Sequence, residues 1–156
     1  MPKVMRKASG IGPAPSPSVE GRAAASLTIA ERRGAVLFTH FGLSGPAPMD
    51  VSRAVTLHEN PRSLRLLMDF LPDVRADDLD ASIRRLAAEA GRKRVASLLP
   101  RLFAVASLFP TRLAEALMEK AGMPIDRRGA ELGKGERAGL VTWLKQAEVV
   151  PSGSCG

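Results

Sequence analysis

The densest group of side chains able to do chemistry is Thr39-His40-Phe41-Gly42-Leu43-Ser44-Gly45-Pro46. Its centre comes close to a nucleophile elbow, G-x-S-x-G, in which a strained turn exposes a serine hydroxyl. His40 and Asp50 would then serve as base and orienter. The match is incomplete, because the second glycine comes one place early and Pro46 stands in its slot. A tight turn with a capping serine accounts for the same residues, and we assign no catalytic group. A metal site fails on ligand supply: the sequence holds two histidines, His40 and His58, and one cysteine, Cys155, and zinc needs about four nitrogen or sulfur ligands. His40 follows an apolar run and reads as a partly buried histidine. His58, in His58-Glu59-Asn60-Pro61, reads as a loop residue.

Phosphate-binding loops are also missing. A dinucleotide fingerprint needs G-x-G-x-x-G between a strand and a helix, so that the backbone can approach the pyrophosphate. Gly10-Ile11-Gly12 is followed by Pro15 where the third glycine belongs, and no strand is predicted before it. Gly133-Lys134-Gly135 lacks the spacing and the Ser/Thr of a P-loop.

The elements that must position these residues follow from hydrophobic periodicity. Residues 1–22, with Pro13, Pro15 and Pro17 among small residues, read as a flexible lead. Ala25, Leu27 and Ile29 alternate with Ser26 and Thr28, a half-buried strand, followed by a turn at Arg32-Arg33-Gly34. Ala35 to Phe38 reads as a second, more fully buried strand. The glycines and proline after it exclude a regular strand through Thr39–Pro46. A short helix starts near Pro46, and Pro48 makes it irregular or late. Leu64 to Phe70 is a third strand, with Leu64, Leu66, Met68 and Phe70 on one face and Arg65 and Asp69 on the other.

After Pro72 the period changes to 3.6. Asp77 caps a helix with Leu79, Ile83, Leu86, Ala87 and Ala90 inward and Gly91 at its end. Lys93–Leu99 forms a second helix, broken at Pro100, and Arg101–Phe109 is partly helical. Thr111 caps a further helix with Leu113, Leu117 and Met118 inward, closed by Gly122 and Pro124. The last runs from Gly135 to Ala147 and buries Leu140, Trp143 and Leu144. The fold class is α+β: a flexible lead (1–22), a β-rich subdomain (23–74), a helical subdomain (75–150) and a tail (151–156).

Composition bounds the function classes. Hydrophobic residues make up 45% and charged residues 25%, an ordinary globular mixture, while aromatics are only 4%. The net charge of +7 fits an Arg-rich surface with no block of basic residues interleaved with aromatics. The alternative is a small basic nucleic-acid-binding module using Arg84, Arg85, Arg92, Lys93 and Arg94; a solvated face is the simpler account, so no specific nucleic acid is expected. A lone cysteine suits the cytoplasm, and no run approaches the roughly 20 apolar residues of a membrane span.

One run is specific. Gly34-Ala35-Val36-Leu37-Phe38-Thr39-His40-Phe41-Gly42-Leu43-Ser44-Gly45-Pro46-Ala47 resembles the signature G-x-L/V-L-F-T-H-x-G-L/I-S-G-P-A of a bacterial flavoprotein family, the BaiN-type or aminoacetone-oxidase-like NAD(P)/FAD-dependent oxidoreductases. The likeness continues through Met49-Asp50-Val51-Ser52-Arg53, Met68-Asp69-Phe70-Leu71-Pro72-Asp73 and Phe109-Pro110-Thr111-Arg112-Leu113, and spans about Ala23 to Gly156. The resemblance implies an insert domain, a small β-barrel-like part followed by a helical part, set between two FAD-binding stretches of an oxidoreductase. It implies FAD as the cofactor of the intact enzyme and none for this chain alone, and the FAD-binding segments as partner. It implies that Thr39, His40, Gly42, Ser44, Gly45 and Pro46 form a loop facing the flavin or substrate. The glycine fingerprint and the returning segment of the flavin domain are missing, so the chain is expected to be a truncated piece, inactive by itself. Pro48 departs from an expected aliphatic residue.

Overall fold

In the computed structural model, described for residues 3–8, 27–103 and 109–152, the chain divides into two compact units. One comprises Met1–Phe70 and Glu148–Gly156, the other Leu71–Ala147. The proline-alternating part of the expected lead and the start of the first expected strand lie outside the described residues, as do residues 104–108 of the expected partly helical stretch.

The first unit is built on a four-stranded sheet in the order β2-β1-β5-β6. The strands are β1 (Lys3–Ala8), β2 (Leu27–Arg33), β5 (Leu64–Asp69) and β6 (Ala147–Val149). β1 lies in the segment that the sequence suggests is a flexible lead, yet it pairs antiparallel with both β2 and β5. Its register against β5 is unbroken from Lys3↔Asp69 to Ala8↔Leu64, whereas a bulge between Met5 and Lys7 interrupts its register with β2. β5 is covered on both faces: Leu64, Leu66 and Met68 are buried as expected, and so is Leu67 from the opposite side. β2 runs through Arg32 and Arg33, which the sequence places in a turn; the chain bends only at Gly34.

The expected buried strand at Ala35–Phe38 is corrected. Only Leu37–Thr39 is extended, as β3, and all three residues are exposed. β3 pairs with β4 (Gly42–Ser44) in a separate two-stranded sheet, so a short strand crosses the region where glycines argued against one. A hairpin this short needs only three paired positions, and glycine at one of them does not prevent pairing. Helix α1 (Pro46–Thr56) follows at once. Ala47, Val51 and Val55, four residues apart, form its buried face. Pro48 neither delays nor distorts this helix. It occupies the first turn, where an N–H has no intrahelical acceptor to lose.

The second unit is helical: α2 (Ala76–Ala90), α3 (Val95–Leu98), α4 (Thr111–Lys120) and α5 (Lys134–Gln146). Leu79, Ile83 and Ala87 of α2, Ala114, Leu117 and Met118 of α4, and Leu140 and Leu144 of α5 are buried. Trp143, expected in that core, is only half-buried, and Leu113 likewise. The caps shift by a residue or two: Arg75 precedes α2, leaving Asp77 in the first turn, and Pro110 precedes α4. Acidic Asp77 and Asp78 still face the positive end of the helix dipole. α4 closes on a Schellman motif. Gly122 has φ 74, its N–H donates to Glu119 O, the Met123 N–H donates to Met118 O, and both methionines are buried. α3 is shorter than expected and passes into a 3-10 turn, Leu99–Leu102, that accommodates Pro100. Arg137 Nε donates to Asp80 Oδ1 at 2.6 Å, joining α5 to α2. Lys145 Nζ donates to the carbonyls of Leu71 and Val74 at 2.6 and 2.8 Å, fixing the loop before α2.

The architecture is therefore mixed α+β, with the sheets and α1 in one unit and the remaining helices in the other. The described strands do not form a closed barrel.

Candidate functional site

The signature residues gather in the β3–β4 hairpin and the first turn of α1. Leu37 pairs with Ser44, Phe38 with Leu43 and Thr39 with Gly42, leaving His40-Phe41 as a two-residue turn. Thr39 closes this turn twice: its Oγ1 donates to Gly42 O at 3.1 Å and accepts the Phe41 N–H at 3.3 Å. Gly42 has φ 143, a conformation that glycine adopts without a Cβ penalty.

Alternation divides the hairpin into two faces. Phe38 and Leu43 share one, on which the Phe38 ring stacks against Phe70 at 6.2 Å. Leu37, Thr39, Gly42 and Ser44 share the other. Leu37 is 61% exposed there, Phe41 at the tip 83%, and Met49 on α1 68%. Sequence periodicity did not find this exposed apolar group, because a three-residue strand is too short to show a period.

Gly45 joins the hairpin to α1 with φ 104 and ψ 174. A Cβ at this position would lie 2.9 Å from the carbonyl oxygen of Ala35. The same oxygen accepts the Ala47 N–H at 3.4 Å. The glycine is thus required by the backbone of its own unit.

His40 is exposed, with its ring 3.7 Å from that of Phe41; the partly buried histidine expected from the sequence is corrected, because the strand before it is exposed. Asp50 lies 3.8 Å from Arg32. No hydrogen bond among the described residues joins His40, Ser44 and Asp50, so they form no hydrolytic triad. His58 accepts the Asn60 N–H on Nδ1 at 3.1 Å in its loop. No group of three His, Cys, Asp or Glu among the described residues could hold a metal ion.

The first turn of α1 offers no anion site. Pro46 and Pro48 have no N–H, and those of Ala47 and Met49 already donate to Ala35 O and Gly45 O. The helix-terminus donors that cradle phosphates elsewhere are absent, and the pyrophosphate of FAD does not fit here. What remains is the Ser44 hydroxyl, which makes no hydrogen bond among the described residues, and the apolar surface beside it.

Residues 16–156 match the family described as HI0933-like protein barrel and H2TH domain. The chain belongs to that family. It is the insert domain of the HI0933/BaiN-type flavoproteins, which are FAD-dependent. No curated protein compared with the chain matches it. The family's description, a barrel and an H2TH domain, agrees with one sheet-bearing unit and one helical unit. No described helix is long and apolar enough to cross a membrane.

Proposed function

We propose that this HI0933-like domain is the substrate-side cap of a cytoplasmic FAD-dependent oxidoreductase and is non-catalytic by itself. The hairpin face bearing Leu37 and Ser44, with the His40-Phe41 tip and the start of α1, docks against the FAD-binding segments and closes over the flavin edge. Thr39, His40, Gly42, Ser44, Gly45 and Pro46 form the loop that approaches the cofactor. Ser44 is the residue placed to donate to it. The redox chemistry belongs to the flavin.

The observation that carries this reading is the exposure of Leu37, Phe41 and Met49 on one short hairpin and helix turn. Exposed apolar side chains grouped in this way mark a surface that another one covers. The test mixes this chain with the FAD-loaded binding domain of a relative from which the insert has been deleted. Association measured by calorimetry should weaken at least about tenfold for Leu37→Ser with Phe41→Ser, the loss of roughly 1.4 kcal/mol. An unchanged affinity in a variant that melts like the parent removes the hairpin from the interface.

A further inference from the structure

The helical unit carries 14 lysines and arginines against 10 acidic residues, and their distribution is uneven. Between Arg84 and Arg94 there are five cations and one carboxylate, Glu89. The fold adds a sixth. The chain after α2 runs antiparallel to the segment before the last 3-10 turn, with Arg94 bridged to Arg128. Val95 N–H donates to Arg127 O at 2.8 Å, Gly129 N–H to Lys93 O at 2.9 Å and Ala130 N–H to Gly91 O at 2.9 Å. Gly129 lies flat on α2, where a Cβ would come within 2.7 Å of Ala87 O. Arg128 is thereby held beside Arg92, Lys93 and Arg94, next to the helix that bears Arg84 and Arg85.

All six side chains are exposed, and none has an ion-pair partner among the described residues. The neighbouring carboxylates of Glu131 and Glu136 are already engaged by Arg127, at 3.9 and 2.6 Å. Neither forms an ion pair with the Arg128 side chain. We infer that this ridge binds the phosphate backbone of double-stranded nucleic acid without reading its sequence.

Three features favour that partner. Five of the six cations are arginines, whose planar forks match phosphate oxygens. No aromatic residue lies between Arg84 and Arg94, so base stacking on a single strand has no platform. The exposed residues interleaved with the cations are Ala88 and Glu89, lacking the Trp, Phe or Leu that seat a basic helix in a lipid surface.

The test uses the full chain and a fluorescent DNA duplex of arbitrary sequence, with anisotropy read across a salt series. Six phosphate contacts predict a slope of log affinity against log salt of about −5. A second duplex of unrelated sequence should bind equally. Replacing Arg84, Arg92, Lys93 and Arg128 by Gln should bring the slope to about −2 and cost at least tenfold in affinity at low salt. A control with the same charge loss elsewhere, at Arg53, Arg62, Arg112 and Lys120, should retain most of both. Equal losses in the two variants, or tighter binding to phosphatidylserine vesicles than to the duplex, would overturn the proposal.

Discussion

Replacing Gly45 by alanine tests the argument that the signature loop is shaped by its own unit. Two costs act together. The backbone at φ 104 and ψ 174 lies in a region nearly exclusive to glycine, where another residue costs about 1–3 kcal/mol. The new Cβ would also press on Ala35 O from 2.9 Å. That oxygen cannot retreat freely, because it holds the Ala47 N–H, and losing that bond adds about 1 kcal/mol. The expected destabilisation is about 2–4 kcal/mol, or about 8–16 °C in melting temperature at roughly 4 °C per kcal/mol. Gly42→Ala is the internal control. Its φ of 143 is also strained, but nothing lies within 4 Å of the added Cβ, so it should cost about half as much. Circular dichroism melts of the two variants and the parent decide the matter. If Gly45→Ala melts no lower than Gly42→Ala, the clash with Ala35 is not real and the reasoning fails.

Other expectations follow from single side chains. Glu136 accepts the Gly133 N–H at 3.0 Å and Arg127 Nη2 at 2.6 Å, so Glu136→Ala should cost about 1–3 kcal/mol in urea melts; a change under about 0.5 kcal/mol would show that neither bond matters. Leu140 is fully buried, and Leu140→Ala should cost about 3–4 kcal/mol, with an unchanged urea midpoint counting against the helical core described. The purified chain should be colourless and bind no FAD, since no phosphate-binding donors remain at α1; saturable micromolar binding by calorimetry would contradict this.

The helical unit was the more legible from sequence. Leu79, Ile83 and Ala87, and again Leu113 and Leu117, recur at the helix period over stretches long enough to count. The terminators Gly91 and Gly122 stand where the helices end. The sheet was harder to read. β1, Lys3-Val4-Met5-Arg6-Lys7-Ala8, shows no alternation, since its three cations and two adjacent apolar residues fit no half-buried face. Its place in the sheet comes from main-chain pairing with β2 and β5, which composition does not encode. β3 and β4 are three residues each, below the length at which a period of two can be told from chance. Pro48 misled for a related reason: a proline is disruptive inside a helix but harmless in its first turn, and the distinction rests on where the helix starts.

Within the signature, residues that serve folding separate from residues that do not. Thr39 closes the hairpin turn. Gly42 and Gly45 take backbone conformations that other residues resist. Pro46 opens α1 with its φ already set, and Phe38 stacks on Phe70. Each of these identities is explained by the unit itself, so substitutions there report mainly on stability. Leu37, His40, Phe41 and Ser44 are left over: all four are exposed, and neither the hairpin nor the helix requires the particular side chains they carry. A hydroxyl and an imidazole beside two large apolar groups make the set that an approaching partner would read. Ser44→Ala and His40→Gln therefore discriminate best between scaffold and site. They should leave melting within about 2 °C of the parent, the range of ordinary surface changes, while altering association with the flavin-bearing partner. A loss of stability larger than that, with affinity intact, would return these two residues to the scaffold.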